Sequence, residues 1–170
     1  MSQVLFTCLI AAVAVERVIE LRLSRRNEHI QLAAGGVEYG SGHYPIMVTL
    51  HTGLLLGSVL EVWLLARPFI PLLGYPMLAL LALSAAVRFW VIRTLGNRWT
   101  TRVVVVPGLP RIVGGPYRFL DHPNYAIVVM EGLALPLVHT GWITALIFTA
   151  ANGVLLVVRV QVENRALRSR

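Results

Sequence analysis

"LLGYPMLALLALSAAVRFWVIRTL", residues 72–95, decides the architecture. An α-helix needs about 20 apolar residues to cross the hydrocarbon core of a bilayer, and this run supplies them with no charge before Arg88. Upstream, "RPFIP" (67–71) makes a short turn after a second apolar run, 45–66, which contains His51 and Glu61. The first run, 4–23, is interrupted late by Glu16, Arg17, Glu20 and Arg22. Its purely apolar part is only about 18 Å long at 1.5 Å per residue, so it spans only if those charges lie at the interface or face other helices. Between these two runs, "SRRNEHIQLAAGGVEYGSGHYP" (24–45) is polar and lacks strong periodicity. Downstream of the opening run, residues 96–122 form a polar, arginine-bearing segment. A shorter apolar run, 125–138, then meets a fifth, 142–162, across the tight "HTG" turn (139–141). The expectation is an all-α polytopic membrane protein of about five transmembrane helices forming a single domain. Residues 1–95 would hold three spans, and residues 96–170 a loop and a C-terminal helical hairpin.

Composition agrees. Apolar residues make up 56% of the 170-residue chain and charged residues only 14%, with a mean hydropathy of +0.71. The net charge of +7 comes from arginine alone, because the sequence has no lysine. Such a basic balance suggests nucleic acid in a soluble protein. Here the arginines gather at the ends of apolar runs, which fits cytoplasmic flanks and anionic lipid headgroups instead. Arg22, Arg25 and Arg26, the arginines of 98–118 and those of 165–170 fall on one side of five spans, and Arg67 alone on the other. That pattern places the N-terminus outside and the C-terminus in the cytoplasm. The first residues lack a basic leader and a small-residue cleavage site, so they read as a retained helix. The single cysteine, Cys8, excludes a disulfide framework and a cysteine-based zinc site, and no metal is expected. No internal repeat of the kind common in transporters is present.

Two polar stretches stand out against this background. In "GPYRFLDHPNY" (115–125), Tyr117, Arg118, His122, Asn124 and Tyr125 offer donors, acceptors and stacking surfaces, and Pro123 suits the first turn of a helix whose N-terminal N–H groups face a ligand. In "VVRVQVENRAL" (157–167), Arg159 and Glu163 lie four apart on one helix face. They form either an interfacial ion pair or a divided site in which Arg159 holds an anion and Glu163 a cation. Glu131, deep in the fourth run, calls for a basic partner on another helix such as Arg88 or Arg93. His43 and His51, at the start of the second helix, are further polar candidates.

Read together, "LGNRWT" (95–100), "GPYRFLDHPNY" and "RVQVENRAL" (159–167), with an apolar hairpin between the last two, resemble the isoprenylcysteine carboxyl methyltransferase family. The likeness covers residues 88–168 and rests on three motifs in order. It implies an integral membrane enzyme that binds S-adenosylmethionine on the cytoplasmic side and methylates an oxygen of a lipophilic acceptor. By position it implies that Leu109, Pro110, Arg111, Ile112, Tyr117, His122, Pro123, Asn124 and Tyr125 contact the cofactor. Glu163 would take its cationic amino group, and Arg159 would orient the acceptor as the catalytic residue. Three positions depart from the family pattern: Asp121 stands where arginine is usual, Ile127 where glycine is common and Asn164 where a second glutamate is frequent.

A further likeness lies in "RLSRRNE" (22–28), "GHYPIMVTLHTG" (42–53) and "EVWLL" (61–65). These are similar to small bacterial members that methylate phenolic lipids such as alkylresorcinols and alkylpyrones, which implies the bacterial cytoplasmic membrane. A carboxylate acceptor is already ionised at neutral pH, whereas a phenol, with a pKa near 10, needs a base or a stabilising cation. His122, Glu131, His43 and His51 are the available bases, and Glu131, His43 and His51 the candidates for touching the acceptor beside Arg159. The partners expected are a lipophilic acceptor and membrane lipids, with no nucleic acid. Two other readings remain: a non-catalytic transporter subunit or scaffold whose "HPNY" loop only caps a helix, and a lipid reductase. The reductase would need a dinucleotide fingerprint that the sequence lacks.

Overall fold

A computed structural model describes residues 1–168 as five helices and one small sheet. Helix α1 (Gln3–Ala33) starts where the Ser2 hydroxyl accepts the Leu5 N–H at 3.2 Å, satisfying a donor that a first turn leaves free. Helices α2 (Tyr44–Leu64), α3 (Pro71–Leu95) and α4 (Pro123–Leu137) each carry proline in the first turn, where its fixed φ and missing N–H cost nothing. Helix α5 (Trp142–Arg168) is capped from a distance. Glu61, isolated within the apolar run of α2, accepts the N–H groups of Ile143 (3.2 Å) and Thr144 (2.7 Å) and pairs with Arg67 at 2.9 Å. A carboxylate at a helix N-terminus is favoured by the helix dipole, so an apparently misplaced charge fixes α5 against α2.

Among the described residues, α2, α3 and α5 are long and apolar enough to cross a membrane. Their outer faces expose Leu56, Leu60, Leu64, Leu72, Phe89, Leu146, Ile147 and Val154, each more than half accessible. A soluble monomer does not display apolar surface on that scale. The chain is a mostly helical integral membrane protein. Of the five spans expected, three are of this kind. Charges at 16, 17, 20 and 22 interrupt α1, and the 15 residues of α4 reach only about 22 Å.

Two local features differ from the sequence reading. The polar stretch after residue 24 does not leave the helix, because α1 continues to Ala33. Ser24, Asn27 and Gln31 form a buried polar stripe there that grips the segment after α3. Asn27 Nδ2 donates to the carbonyls of Gly96 (3.2 Å) and Trp99 (2.8 Å), Gln31 Nε2 donates to Asn97 O (3.1 Å), and the Ser24 hydroxyl lies 2.9 Å from that of Thr101. The periodicity is helical, but hydrogen-bonding groups carry it. The fold is also not purely helical. Strands β1 (Val37–Tyr39) and β2 (Val103–Val105) pair antiparallel, with Val37 opposite Val105 and Tyr39 opposite Val103. Arg102 ties them to α1 and α2 by bonding Glu38 (2.8 Å), nearing Glu28 (3.6 Å) and lying over the Tyr44 ring.

The main core, with Phe6, Val62, Leu81, Leu135, Val138 and Phe148, packs one end of the bundle. There Gln3 Nε2 donates to Val62 O (3.0 Å), His139 Nε2 to Met1 O (3.2 Å) and Thr140 Oγ1 to Pro68 O (2.7 Å). The chain start, the α2–α3 turn and the α4–α5 turn therefore share that end. Gly132 of α4 sits against Phe148 of α5 with no room for a Cβ. At the other end, Val91, Trp99 and Ile127 form a second core beneath the sheet and the 96–122 segment. Ile127 thus fills the space beside Trp99. Arg170, counted in the basic flank, lies outside the described residues.

Candidate functional site

The 96–122 segment, the start of α4 and the last turns of α5 line a cleft that is open to solvent. Its polar floor is built from α4 and α5. Tyr125 donates its hydroxyl to Glu163 Oε2 at 2.6 Å, and His122 Nδ1 approaches the same oxygen at 3.4 Å. The His122 and Tyr125 rings stack with centroids 5.4 Å apart. The Glu163 carboxylate accepts the His122 proton and holds that imidazole's pKa above its ordinary value, with Asn164 adding a further hydrogen bond. Tyr117 forms part of the wall, and burial pushes its phenol pKa up, so it stays protonated. Opposite, Leu109, Arg111 and Ile112 line the rim. Arg111 Nη2 donates to Asp121 Oδ1 at 2.7 Å, so the acidic residue at 121 closes an exposed ion pair across the cleft mouth.

Arg159 lies beneath this floor, only 6% exposed. Its Nη2 donates to Thr101 O at 2.8 Å, Nη1 touches the Met47 sulfur, and the guanidinium stands 5.5 Å from the Tyr125 ring centre. Arg159 Nε has no partner among the described residues, nor do Trp99 Nε1 and Asn124 Oδ1, all three buried. No carboxylate pairs with Arg159 among the described residues. Of the two readings of the spacing, a direct Arg159–Glu163 ion pair is absent: both residues border the cleft, and Arg159 also borders a second space below it. A buried cation without a counter-ion is costly unless an anion comes to it.

The space below Arg159 is a chamber between α1, α2, α4 and α5. It shares Trp99, Asn124, Tyr125 and Arg159 with the cleft above. It shares Arg17, His51 and Leu55 with a second, almost wholly apolar cavity walled by residues such as Leu9, Val13, Leu78 and Leu81. Cleft, chamber and apolar cavity thus adjoin in sequence. Beside the chamber, Arg88 pairs with Glu131 and lies 3.6 Å from Glu20, while Arg17 bonds Glu20 at 2.7 Å and Glu131 at 3.4 Å. Two arginines and two glutamates from three helices neutralise one another here. Of the α1 charges, Arg17 and Glu20 therefore face other helices, whereas Arg22 is exposed and Glu16 contacts only Arg17 of its own helix among the described residues, and Glu131 has found Arg88.

The expected residues divide accordingly. Leu109, Arg111, Ile112, Tyr117, His122, Asn124, Tyr125, Arg159 and Glu163 all border the cleft. Pro110 and Pro123 do not. The Pro110 carbonyl accepts Arg98 at 2.6 Å, and Pro123 is buried as the first residue of α4. Glu131 borders the apolar cavity, but its oxygens are taken by the two arginines. His51 borders the chamber, while His43 lies in the turn before α2 and borders none of these spaces. Trp99, quoted within the "LGNRWT" motif, was given no site role, and Asn152 was not anticipated. The polar residue at 152 within the last apolar run was the readable signal for the second, whereas the burial of the Trp99 N–H depends on the fold.

Comparison with known proteins gives three findings. The model of the isoprenylcysteine carboxyl methyltransferase (ICMT) family matches residues 77–169. The uncharacterized protein YpbQ of Bacillus subtilis is 37% identical over 165 residues, covering 96% of this chain and 97% of that one. An uncharacterized protein of Haemophilus influenzae is 26% identical over 165 residues, 95% of this chain and 92% of its own length. No solved structure matches the chain.

Proposed function

Because the chain belongs to the isoprenylcysteine carboxyl methyltransferase family, whose members are membrane methyltransferases, we propose that it transfers a methyl group from S-adenosylmethionine to an oxygen of a lipophilic acceptor. The observation that carries this reading is Arg159. It is a buried cation with no carboxylate at ion-pair distance among the described residues, set in the wall between a solvent-open cleft that ends on Glu163 and a chamber that leads into apolar space.

The residues of the cleft fit the cofactor. Glu163 offers a carboxylate to an ammonium group, and the free Trp99 N–H and Asn124 carbonyl oxygen offer a donor and an acceptor in buried positions. Leu109, Ile112 and Tyr117 give an apolar and aromatic rim suited to a flat base. When bound, S-adenosylmethionine supplies an electrophilic methyl on a sulfonium centre. The protein's task is then alignment, and fixing reactants in line is worth about 7–11 kcal/mol in well-oriented cases. Arg159 holds the acceptor oxygen as an anion and aims it towards the cleft. Tyr125, shared by both spaces, forms the partition. Little water reaches Arg159, so its attraction for an anion is stronger than at a surface. The reacting oxygen is that of a carboxylate or of a phenolic or enolic hydroxyl, and the hydrocarbon part lies in the apolar cavity.

The arginine distribution supports the orientation. Arg25, Arg26, Arg98, Arg102, Arg111, Arg118 and Arg165 belong to the cleft end, and Arg67 to the opposite end. We place the cleft at the cytoplasmic face of a bacterial inner membrane, the N-terminus outside, and all five helices within the bilayer region.

Calorimetric titration of the purified protein with S-adenosylmethionine tests the reading. Wild type should bind, and Glu163→Gln should weaken binding by about ten- to a hundredfold, the loss expected when a charge-assisted hydrogen bond goes. Folded wild type that neither binds nor transfers labelled methyl to any lipid acceptor would favour a non-catalytic membrane protein instead.

A further inference from the structure

Arg118, Phe119 and Leu120 stand in the middle of the 115–125 stretch, yet none of them borders the cleft. Tyr117 on one side of them and Asp121 and His122 on the other do border it, so these three residues form the loop's outer side. Phe119 is 74% accessible, Leu120 51%, and Val113 of the same loop 68%. Apolar exposure of that extent calls for something to cover it.

Two contacts fix where this outer side lies. Gly115, with φ of 58°, closes on Thr94 so tightly that a Cβ would overlap that side chain. In the turn that follows, the Pro116 carbonyl accepts the N–H groups of Phe119 (3.1 Å) and Leu120 (3.2 Å). The Phe119 ring then meets the Trp90 ring, with centroids 6.4 Å apart. Trp90 and Phe89 are themselves exposed in the last turns of α3, a helix long and apolar enough to cross a membrane. Tryptophan is enriched where hydrocarbon meets headgroups. The loop is thereby hung on the lipid-facing side of α3 at that level.

Charge accompanies the apolar face. Arg93 lies over the Phe89 ring at 5.3 Å, Arg118 precedes Phe119, and both are exposed. Neither has a carboxylate at ion-pair distance among the described residues, and Asp121, the one acid of the 96–122 segment, is held by Arg111. An aromatic patch flanked by two unneutralised arginines complements a phospholipid of net negative charge. Its acyl chains cover the rings, and its phosphate takes the guanidinium groups.

We propose that Trp90, Arg93, Arg118 and Phe119 form a surface site for one anionic phospholipid, which, by holding the outer side of the loop, raises the affinity of the cleft for its cofactor. The lipid site stands on the contacts above; its effect on the cofactor rests on the methyltransferase reading.

Two readouts in nanodiscs test these separately. Lipids brominated along the acyl chain quench nearby tryptophan. Of the four tryptophans, Trp63 and Trp142 belong to the opposite end of the bundle and Trp99 is buried, so Trp90 reports on the site. In an equimolar bilayer of phosphatidylcholine and phosphatidylglycerol, brominating the phosphatidylglycerol should quench wild type more than brominating the phosphatidylcholine. Trp90→Phe should abolish the excess, and so should Arg93→Gln combined with Arg118→Gln. Arg25→Gln combined with Arg26→Gln, an equal loss of exposed charge at the same end, should leave it intact. Calorimetric titration with S-adenosylmethionine should give a Kd at least about fivefold lower in the mixed bilayer than in phosphatidylcholine alone, the worth of one arginine at an anionic surface. The Arg93/Arg118 double variant should lose that difference. Equal quenching by the two lipids, or equal loss in the two double variants, overturns the site. A Kd that is the same in both bilayers, or a difference that the Arg93/Arg118 variant retains, overturns the coupling. Failure to bind cofactor in either bilayer overturns the methyltransferase reading and the coupling with it, while the quenching still decides the site.

Discussion

Glu163 and His122 share one contact whose strength follows pH. The carboxylate holds the His122 pKa above its ordinary value of about 6.5, so the contact's contribution to the folded state is complete below that pH. It is lost as pH rises through the raised value. A cationic ammonium group arriving at Glu163 competes with the protonated imidazole. Cofactor affinity should therefore increase as pH rises through the raised pKa, and binding near neutrality should release a fraction of a proton. Titrations in two buffers of different ionisation enthalpy measure that release directly. His122→Asn should abolish both effects, and a wild-type affinity that is flat from about pH 6 to 9 would show that the two cations do not share the carboxylate. At this scale much was readable. Glu163, Arg159, Tyr125 and His122 announced themselves as polar groups in or beside apolar runs. That Arg159 reaches a second space as well as the cleft was not readable, because four-residue spacing is equally compatible with an ion pair.

At the scale of elements, α4 and α5 pack closely where Gly132 meets Phe148, in the core at the end of the bundle away from the cleft. Gly132 permits the close approach, since a Cβ there would overlap the Phe148 ring. Phe148 in turn holds His51. Gly132→Val should destabilise the protein by about 1–3 kcal/mol, the usual cost of overpacking, seen as a lower thermal midpoint in detergent. It should also raise the acceptor KM, while Gly132→Ala should lie between. A valine variant with unchanged midpoint and kinetics would mean that the helices can part without consequence. The helix positions were legible from apolar runs and prolines. The length of α1 was not, because Ser24, Asn27 and Gln31 face a loop whose carbonyls only the fold brings to them.

For the whole molecule, the distribution of arginine makes orientation testable. In a Cys8→Ser background, a cysteine at Arg67 should react with a membrane-impermeant maleimide in spheroplasts, and one at Asp121 only after lysis. The reverse pattern would turn the cleft outward. By itself the sequence determined the membrane setting, the five helices and the polar motifs, since each follows from local hydropathy or from neighbours close along the chain. Tertiary structure alone decided which charges cancel and which are left over. Arg17, Glu20, Arg88 and Glu131 come together from three helices, while Trp99 Nε1, Asn124 Oδ1 and Arg159 Nε are left without a partner among the described residues. Hydrogen bonds and ion pairs reach only a few ångströms in space, and residues far apart along the chain must be packed together before either their satisfaction or their availability is defined.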